Sequence, residues 1–152
     1  ITKSGDMPIY FYDIHEKPFG CFSNFSPHGF ELDGEWWKTS EHYFQAHKFV
    51  DTPYLEQIRK LPTPKAAFDF ARSRQSEVRS DWKMVRDDIM RKAVGRKFQF
   101  NAEIREILLA TGDVLLVEDS PVDFYWGCGS DRQGKNMLGK ILMEVREKLR
   151  DF

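Results

Sequence analysis

The sequence has 152 residues and a formal net charge of −1, because 23 lysines and arginines nearly balance 24 aspartates and glutamates. This balance excludes an overall electrostatic attraction to nucleic acid or to an anionic membrane, although a local basic patch is compatible with it. No apolar run approaches the roughly 20 residues that cross a bilayer, and no signal-peptide pattern opens the chain. We therefore expect a soluble, cytoplasmic protein.

Its length suits one domain with a single core. Residues 1–7 show no periodicity, and we expect them to be disordered or vector-derived, so the predicted domain spans residues 8–152. Cys21 and Cys128 form no CxxC pair, which predicts free thiols rather than a disulfide or a zinc site.

In chain order, strands come first and helices follow. PIYFYD at 8–13 is a β-prone aromatic run, and Asp33-Gly34 within GFELDGEWW at 29–37 is a hairpin signal. The pattern predicts helices at about 40–50, 53–61, 64–73, 81–99, 102–110 and 136–150, a buried strand at 114–119, and a short strand or turn at 123–127. The predicted fold class is α+β, a single, mostly helical domain with a small and largely antiparallel sheet.

The segment TSEHYFQAHKFV at 39–50 mixes aromatic and polar residues. On a helix, Glu41, Gln45 and Lys48 fall within about 60° of one another, so an acid, an amide and an amine can contact one ligand. The alternative is a solvated face, which is the commoner fate of a polar stripe. His42 and His47 lack a third ligand at metal spacing, and we interpret them as packing or hydrogen-bonding residues.

Two further segments combine polar groups with rings or glycines. In CFSNFS at 21–26, Ser23 and Asn24 lie between two phenylalanines, which suits either a planar ligand or a turn anchored in the core. The segment DFYWGCGSDRQGKNMLG at 123–139 has three glycines before a helix, and we expect its backbone N–H groups to approach an oxygen-rich ligand. It matches neither the P-loop nor GxGxxG.

The stretch ARSRQSEVRS at 71–80 precedes the longest predicted helix. Arg72, Arg74 and Arg79 either bind a phosphate there or are neutralised by nearby acids, and both interpretations stay open. In the helix that follows, a buried stripe is predicted at Trp82, Val85, Ile89 and Ala93.

Taken together, these motifs resemble the NADAR family, which includes the YbiA-like N-glycosidases. The matching segments are FSNFS at 22–26, TSEHYFQAHKF at 39–49, the arginine-rich stretch before Trp82, and YWGCG with GKNMLG at 125–139. The resemblance runs from about Ile9 to the C-terminal helix. It implies an α+β fold and cleavage of a bond between ribose C1′ and nitrogen, without a metal or cofactor.

The resemblance also implies residue roles. Glu41 and Asp123 match catalytic carboxylates, and Lys48 matches a reactive lysine; which carboxylate acts as the acid stays open. Trp82 matches the family's proposed catalytic set, and Phe22, Ser23, Asn24, Phe25, Trp126 and Gly127 match its ligand pocket. Together with Trp82, and with Gln45 from the helix stripe and Arg72 and Arg74 from the arginine-rich stretch, these six residues are the predicted substrate-binding residues. Lys38 and Cys128 depart from the motifs, which affects substrate preference more than reaction class.

The expected substrate is a small N-ribosyl or ADP-ribose-containing molecule, with ADP-ribosylated guanine, free or in nucleic acid, preferred. The alternative substrate is a phosphorylated ribosylamino-pyrimidine intermediate of riboflavin biosynthesis. Two other function classes stay open, a non-catalytic module that binds ADP-ribose or nucleotides and a nucleic-acid binder acting through residues 72–97. We infer no membrane association and no obligate protein partner.

Overall fold

The computed structural model describes residues 7–151. Residues 1–6 and 152 lie outside the described residues, so Met7 alone represents the predicted N-terminal segment 1–7, and it is exposed. The strands and α-helices are β1 (Ile9–Phe11), β2 (Phe30–Leu32), β3 (Glu35–Trp37), α1 (Ser40–Ala46), α2 (Pro53–Lys60), α3 (Pro64–Arg72), α4 (Trp82–Phe100), α5 (Ala102–Ala110), β4 (Leu116–Glu118) and α6 (Met137–Leu149). Short 3-10 helices cover Phe19–Phe22, His47–Phe49 and Gln75–Glu77.

Threonines begin three of these helices. Thr39, Thr52 and Thr63 each accept a hydrogen bond from a backbone N–H in the first turn of α1, α2 and α3. Proline follows the cap in α2 and α3. Proline lacks a backbone N–H, and at the first helical position no hydrogen bond within the helix is lost by this. The predicted helices are confirmed to within a few residues, except that α1 ends at Ala46 and continues as a 3-10 turn.

The chain divides into two compact units. The central unit is residues 24–101, and the terminal unit comprises residues up to 23 together with those from 102 onward.

In the central unit, β2 and β3 form an antiparallel hairpin in which Phe30 lies opposite Trp37. Asp33 and Gly34 make the turn with φ angles of 56° and 81°. A two-residue hairpin turn of type I′ requires positive φ at both positions, which Asp-Gly tolerates. The predicted hairpin is confirmed.

Helix α1 contacts α2, α3 and α4. All seven of its residues are buried, polar ones included. Its apolar side chains Tyr43 and Ala46 join Phe30, Trp37 and Phe49 in the hydrophobic cluster of the central unit. Because no face of α1 meets water, each of its polar side chains must find a partner inside the protein or stay unsatisfied at a cost.

The imidazole of His42 shows how such partners are found. Its Nε2 lies 3.0 Å from the Leu61 carbonyl oxygen, and its Nδ1 lies 2.7 Å from Thr39 Oγ1. Since a carbonyl can only accept, Nε2 carries the proton and Nδ1 accepts from the threonine hydroxyl. His47 likewise bonds the Tyr43 carbonyl through Nδ1 at 2.7 Å. The predicted hydrogen-bonding roles of both histidines are confirmed.

The predicted buried stripe of α4 is confirmed only at Ala93, which is buried, and in part at Ile89, which packs against the hydrophobic cluster of the central unit. Trp82, Val85 and Ile89 are only partly buried. The buried residues are Met90, Ala93, Val94, Lys97 and Phe98. The centre of the buried face thus lies about 100° from the predicted stripe, which is the angle between successive residues, and Ala93 lies on the edge that the two share.

In the terminal unit, β1 and β4 pair in parallel, with Ile9 opposite Leu116. The α+β class is confirmed, but this pair is not antiparallel. Turn signals predict hairpins between neighbouring strands, whereas no local signal marks a pairing of strands from opposite ends of the sequence. Helix α6 packs so closely on β4 that a Cβ at Gly139 would lie 2.2 Å from the Leu116 carbonyl oxygen.

Cys21 and Cys128 are buried free thiols of the terminal unit. Burial, together with a hydrogen bond to Asp119, raises the pKa of Cys128 and disfavours its thiolate. Between residues 7 and 151 no helix combines the length and apolar character needed to cross a membrane.

Lowering the pH from about 7.5 to 5.5 is expected to reduce the free energy of unfolding through His42 and His47. Burial lowers the pKa of both imidazoles in the folded protein, whereas the unfolded chain binds protons near the usual value of about 6.5. As the pH falls through about 6.5, the unfolded state takes up more protons, so the stability contributed by the neutral rings is lost.

Urea unfolding at several pH values measures this dependence. His42→Gln should lower stability at neutral pH and flatten the slope, and a slope identical to that of the unsubstituted protein would contradict the assignment.

Candidate active site

Asn24 anchors the first turn of α1. Ser40 Oγ donates to Asn24 Oδ1 at 2.8 Å, and the backbone N–H of Glu41 donates to the Asn24 carbonyl at 3.1 Å. Asn24 Nδ2 lies 3.5 Å from Met90 Sδ, and a thioether is a weak acceptor. Asn24 therefore fixes where the helix begins and places Glu41 in its first turn.

Glu41 and Gln45 form a buried pair one helical turn apart. Gln45 Nε2 donates to Glu41 Oε2 at 2.7 Å, and the two residues are 6% and 4% exposed. The other amide atom, Gln45 Oε1, is buried without a hydrogen-bond partner. The solvated face that was the alternative for this stripe is therefore wrong for Glu41 and Gln45.

Lys48 follows on the 3-10 turn, and its amine lies near two aromatic rings. Nζ is 5.7 Å from the ring centroid of Phe44 and 5.7 Å from that of Trp82. Burial lowers the pKa of Lys48, and the negative charge of Glu41 partly opposes this shift. A lowered pKa leaves more of the amine neutral, and the neutral amine is the nucleophile.

Trp82 is the first residue of α4 and is half-buried. Its indole lies 4.9 Å from the Phe44 ring, centroid to centroid. It therefore forms a wall beside the Lys48 amine rather than part of the buried stripe of α4. We call Glu41, Phe44, Gln45, Lys48 and Trp82 the Lys48 cluster.

In the terminal unit, Asp123 shapes the loop between β4 and α6. Its Oδ1 accepts from the backbone N–H groups of Tyr125 and Trp126, at 3.0 and 2.8 Å. Its own N–H donates to Ser120 Oγ at 3.1 Å. Gly127 follows, and a Cβ there would lie 2.7 Å from a carboxylate oxygen of Glu118. Asp123, Trp126 and Gly127 thus share one tightly bonded turn.

The rest of this loop is closed by its own backbone. The N–H groups of Gly134, Lys135 and Asn136 all donate to carbonyls of residues 124–128, at 2.8–3.0 Å. The Asn136 side chain ties the loop to β4, since Oδ1 accepts from Glu118 N–H and Nδ2 donates to the Leu116 carbonyl. The N–H groups of Gly134, Lys135 and Asn136 are therefore used by the protein itself, which corrects the expectation that they approach an oxygen-rich ligand. The glycines allow the backbone segments to approach each other.

The residues of CFSNFS have different surroundings. Phe22 is 1% exposed and packs edge-on against Phe11, with centroids 5.6 Å apart. Its ring therefore anchors the loop in the core, as the alternative interpretation predicts. Ser23 and Phe25 are half-buried.

The arginines before α4 do not cluster at its N-terminus. Arg79 forms an ion pair with Asp81 at 2.6 Å, so neutralisation is the right interpretation for Arg79. Arg74 stacks over two aromatic rings at 5.0 and 4.4 Å and, like the exposed Arg72, lies at the C-terminal end of α3. A helix C-terminus favours cations and offers no N–H groups to a phosphate.

The structure thus brings Glu41, Gln45, Lys48 and Trp82 together in the central unit. Phe44 was missed, although its spacing of four from Lys48 on a helical segment was the available signal. In the part of the chain that the structure describes, no group of three or more His, Cys, Asp or Glu side chains could hold a metal ion.

The NADAR domain model matches residues 10–150 of the sequence. The chain belongs to the NADAR domain family. A relative named as an N-glycosidase in Nostoc punctiforme is 50% identical over 149 residues, covering 96% of this chain and 95% of the relative. The N-glycosidase YbiA of Escherichia coli strain K12 is 46% identical over 144 residues, covering 95% and 89%.

The fold agrees with that of a solved structure. The NMR structure of E. coli YbiA superposes with a TM-score of 0.89 at 44% sequence identity, covering 99% of this chain and 89% of the other. A riboflavin biosynthesis protein of Vibrio vulnificus is 42% identical over 146 residues, and the match spans 40% of its length.

In this NADAR domain, Lys48 is expected to lose its proton at lower pH than ordinary lysines, whose pKa is about 10.4, because burial disfavours its charged form. Reductive methylation with ¹³C-formaldehyde followed by an NMR pH titration resolves each dimethylated lysine. Lys48→Arg identifies the Lys48 signal by its disappearance. A Lys48 signal that titrates with the usual lysine value would contradict the desolvated site.

Proposed function

We propose that this NADAR protein hydrolyses the C1′–N bond of an N-ribosyl compound and that its substrate is ADP-ribose attached to a guanine base. The chain is a hydrolase of N-glycosyl compounds. Two relatives that match it over most of their length are named for this activity. The N-ribosyl and ADP-ribosyl assignments are the further step proposed here.

The Glu41 carboxylate and the Lys48 amine are the observation that carries the proposal. Glu41 is held by Gln45 at 2.7 Å and is nearly withdrawn from water. Breaking an N-glycosidic bond develops positive charge at C1′, and a preorganised carboxylate in a poorly hydrated site stabilises that charge more strongly than a solvated one.

Lys48 supplies a covalent route. When the ribose ring opens, the electron pair of the C1′–O4′ bond goes to O4′, which takes a proton, and C1′ becomes an iminium carbon. The neutral Lys48 amine adds to C1′, the base departs with its nitrogen protonated, and a Schiff base between Lys48 and C1′ remains. Water then adds to C1′, releasing the sugar as an aldehyde and regenerating the amine. Glu41 is suited to move the protons, since it interacts electrostatically with Lys48.

Asp123 is the proposed second carboxylate. Both hydrogen bonds that its carboxylate accepts from Tyr125 and Trp126 end on Oδ1. Kinetic measurements on variants decide which carboxylate protonates the leaving group. Asp123→Asn suits this purpose, because it retains Oδ1 and the turn while it removes the negative charge. For substrate contacts we retain Ser23, Asn24, Phe25, Gln45, Arg72, Arg74, Trp82, Trp126 and Gly127 as proposals, and Phe22 as a residue that supports the loop from the core.

The second candidate substrate is a phosphorylated ribosylamino-pyrimidine of riboflavin biosynthesis, favoured by the name of the V. vulnificus relative. Incubation of the protein with ADP-ribosylated guanosine and, separately, with the ribosylamino-pyrimidine phosphate distinguishes the two when free ADP-ribose and free base are quantified. Release of ADP-ribose supports the proposal, and release of only the pyrimidine supports the alternative. Tight ADP-ribose binding in calorimetry with no turnover of either compound would instead identify a binding module.

Borohydride added during turnover is expected to trap a sugar adduct on Lys48, because reduction converts a Schiff base into a stable secondary amine. Peptide mass spectrometry locates the adduct, and Lys65, an exposed lysine, is the internal control. No adduct on Lys48, together with full turnover by Lys48→Ala, would exclude the covalent route.

Glu41→Gln is expected to lower kcat by about 10² or more while leaving the fold intact, since the amide keeps a hydrogen bond to Gln45 but removes the negative charge. Glu106→Gln makes the same change at an exposed position of α5 and should leave kcat unchanged. Equal activity of the two variants, measured with the substrate identified above, would remove Glu41 from the mechanism.

A further inference from the structure

We propose that the side-chain carbonyl of Gln45 is a specificity-determining acceptor for the 2′-hydroxyl of the substrate's ribose. This role rests on the proposed N-ribosyl substrate and deepens it. It assigns a recognition function to the one atom of the Glu41–Gln45 pair that the folded protein leaves unsatisfied.

Gln45 Oε1 is buried without a hydrogen-bond partner, in a residue that is 4% exposed. Other buried side-chain oxygens at the start of α1 are bonded, since Asn24 Oδ1 accepts from Ser40 and Thr39 Oγ1 bonds His42. A buried acceptor without a donor costs free energy in the unliganded protein, and a ligand that brings a donor recovers it.

Glu41 fixes which end of the amide is available. An ionised carboxylate only accepts hydrogen bonds, so the amide must present Nε2 to Glu41 Oε2, as it does at 2.7 Å. Turning the amide over would set two acceptors against each other. The carbonyl oxygen is therefore directed away from Glu41, and only a donor satisfies it.

The chemistry at C1′ selects the donor. In the proposed reaction Glu41 acts at C1′. Gln45, which is hydrogen-bonded to Glu41, is therefore expected to contact atoms attached to or next to C1′. In the closed sugar that binds first, the ring oxygen has no proton to donate. A carbonyl beside the departing nitrogen would oppose the negative charge that develops there, whereas a carbonyl that accepts from the 2′-hydroxyl adds electron density next to the cationic carbon.

Oε1 is shielded from solvent, so the hydroxyl reaches it only when a neighbouring side chain moves. Rotamer changes of this kind are common when ligands and partners bind. Lys48 is a side chain that can move in this way. It is half-buried and interacts electrostatically with Glu41, and the covalent route itself requires its amine to reach C1′.

Ribose 5-phosphate tests the inference because both candidate substrates contain it. The full chain labelled with ¹⁵N is titrated with ribose 5-phosphate and with 2-deoxyribose 5-phosphate, and dissociation constants are taken from the NMR shifts. We expect the ribose compound to bind about tenfold more tightly, the gain typical of one neutral hydrogen bond in a buried site.

Gln45→Met keeps the size of the side chain and removes the acceptor. It should weaken binding of ribose 5-phosphate to the level of the 2-deoxy sugar and leave binding of the 2-deoxy sugar within about twofold of its original value. Gln57→Met, the same change at an exposed position of α2, should keep the tenfold preference.

Equal binding of the two sugars, no binding of either, or a preference that survives in Gln45→Met would overturn the inference. Should Gln45→Met fail to fold, the side-chain Nε2 protons of Gln45 in the unsubstituted protein give the answer. They should shift with ribose 5-phosphate and not with the 2-deoxy sugar, and the reverse overturns the inference. These readouts need no turnover, so failure to cleave any N-ribosyl compound refutes the proposed function separately.

Discussion

The central unit depends on one constraint, the complete burial of a helix that carries polar side chains. Helix α1 has no face in contact with water, so its serine, glutamate, histidine and glutamine must be bonded within the protein or pay the cost of desolvation. Ser40 and His42 meet this constraint with structural partners, Asn24 in one case and Thr39 with Leu61 in the other. Gln45 meets it by donating to Glu41 through Nε2, which helps to fix the carboxylate and leaves Gln45 Oε1 unsatisfied.

The same burial sets the electrostatics of the Lys48 cluster. Withdrawing Lys48 from water disfavours its ammonium form, and the charge of Glu41 works in the opposite direction. The balance keeps an amine that can give up its proton next to a carboxylate that can take part in proton transfer. Phe44 and Trp82 exclude water from the amine while their ring faces tolerate a cation, so they permit both protonation states.

The terminal unit achieves rigidity by different means. The loop between β4 and α6 contains little regular structure, yet Asp123 and Asn136 bond its backbone at both ends. Glycines at 127 and 134 allow these segments to lie closer than any side chain would permit. A loop held in this way keeps Trp126 in a defined position.

The sequence by itself determined the elements and the chemical inventory. Threonine-proline caps, the Asp33-Gly34 turn and helical periodicity are local signals, so the helices and the hairpin were predictable, and the order of four motifs predicted the family. Tertiary structure alone decided the parallel pairing of β1 with β4, the face of α4 that is buried, and the use of loop N–H groups by the protein itself. It also decided that Glu41 and Gln45 are buried rather than solvated. These features depend on which segments, distant in sequence, surround a residue. Periodicity fixes only the angle between side chains on one helix, so it carries no information about what lies opposite them.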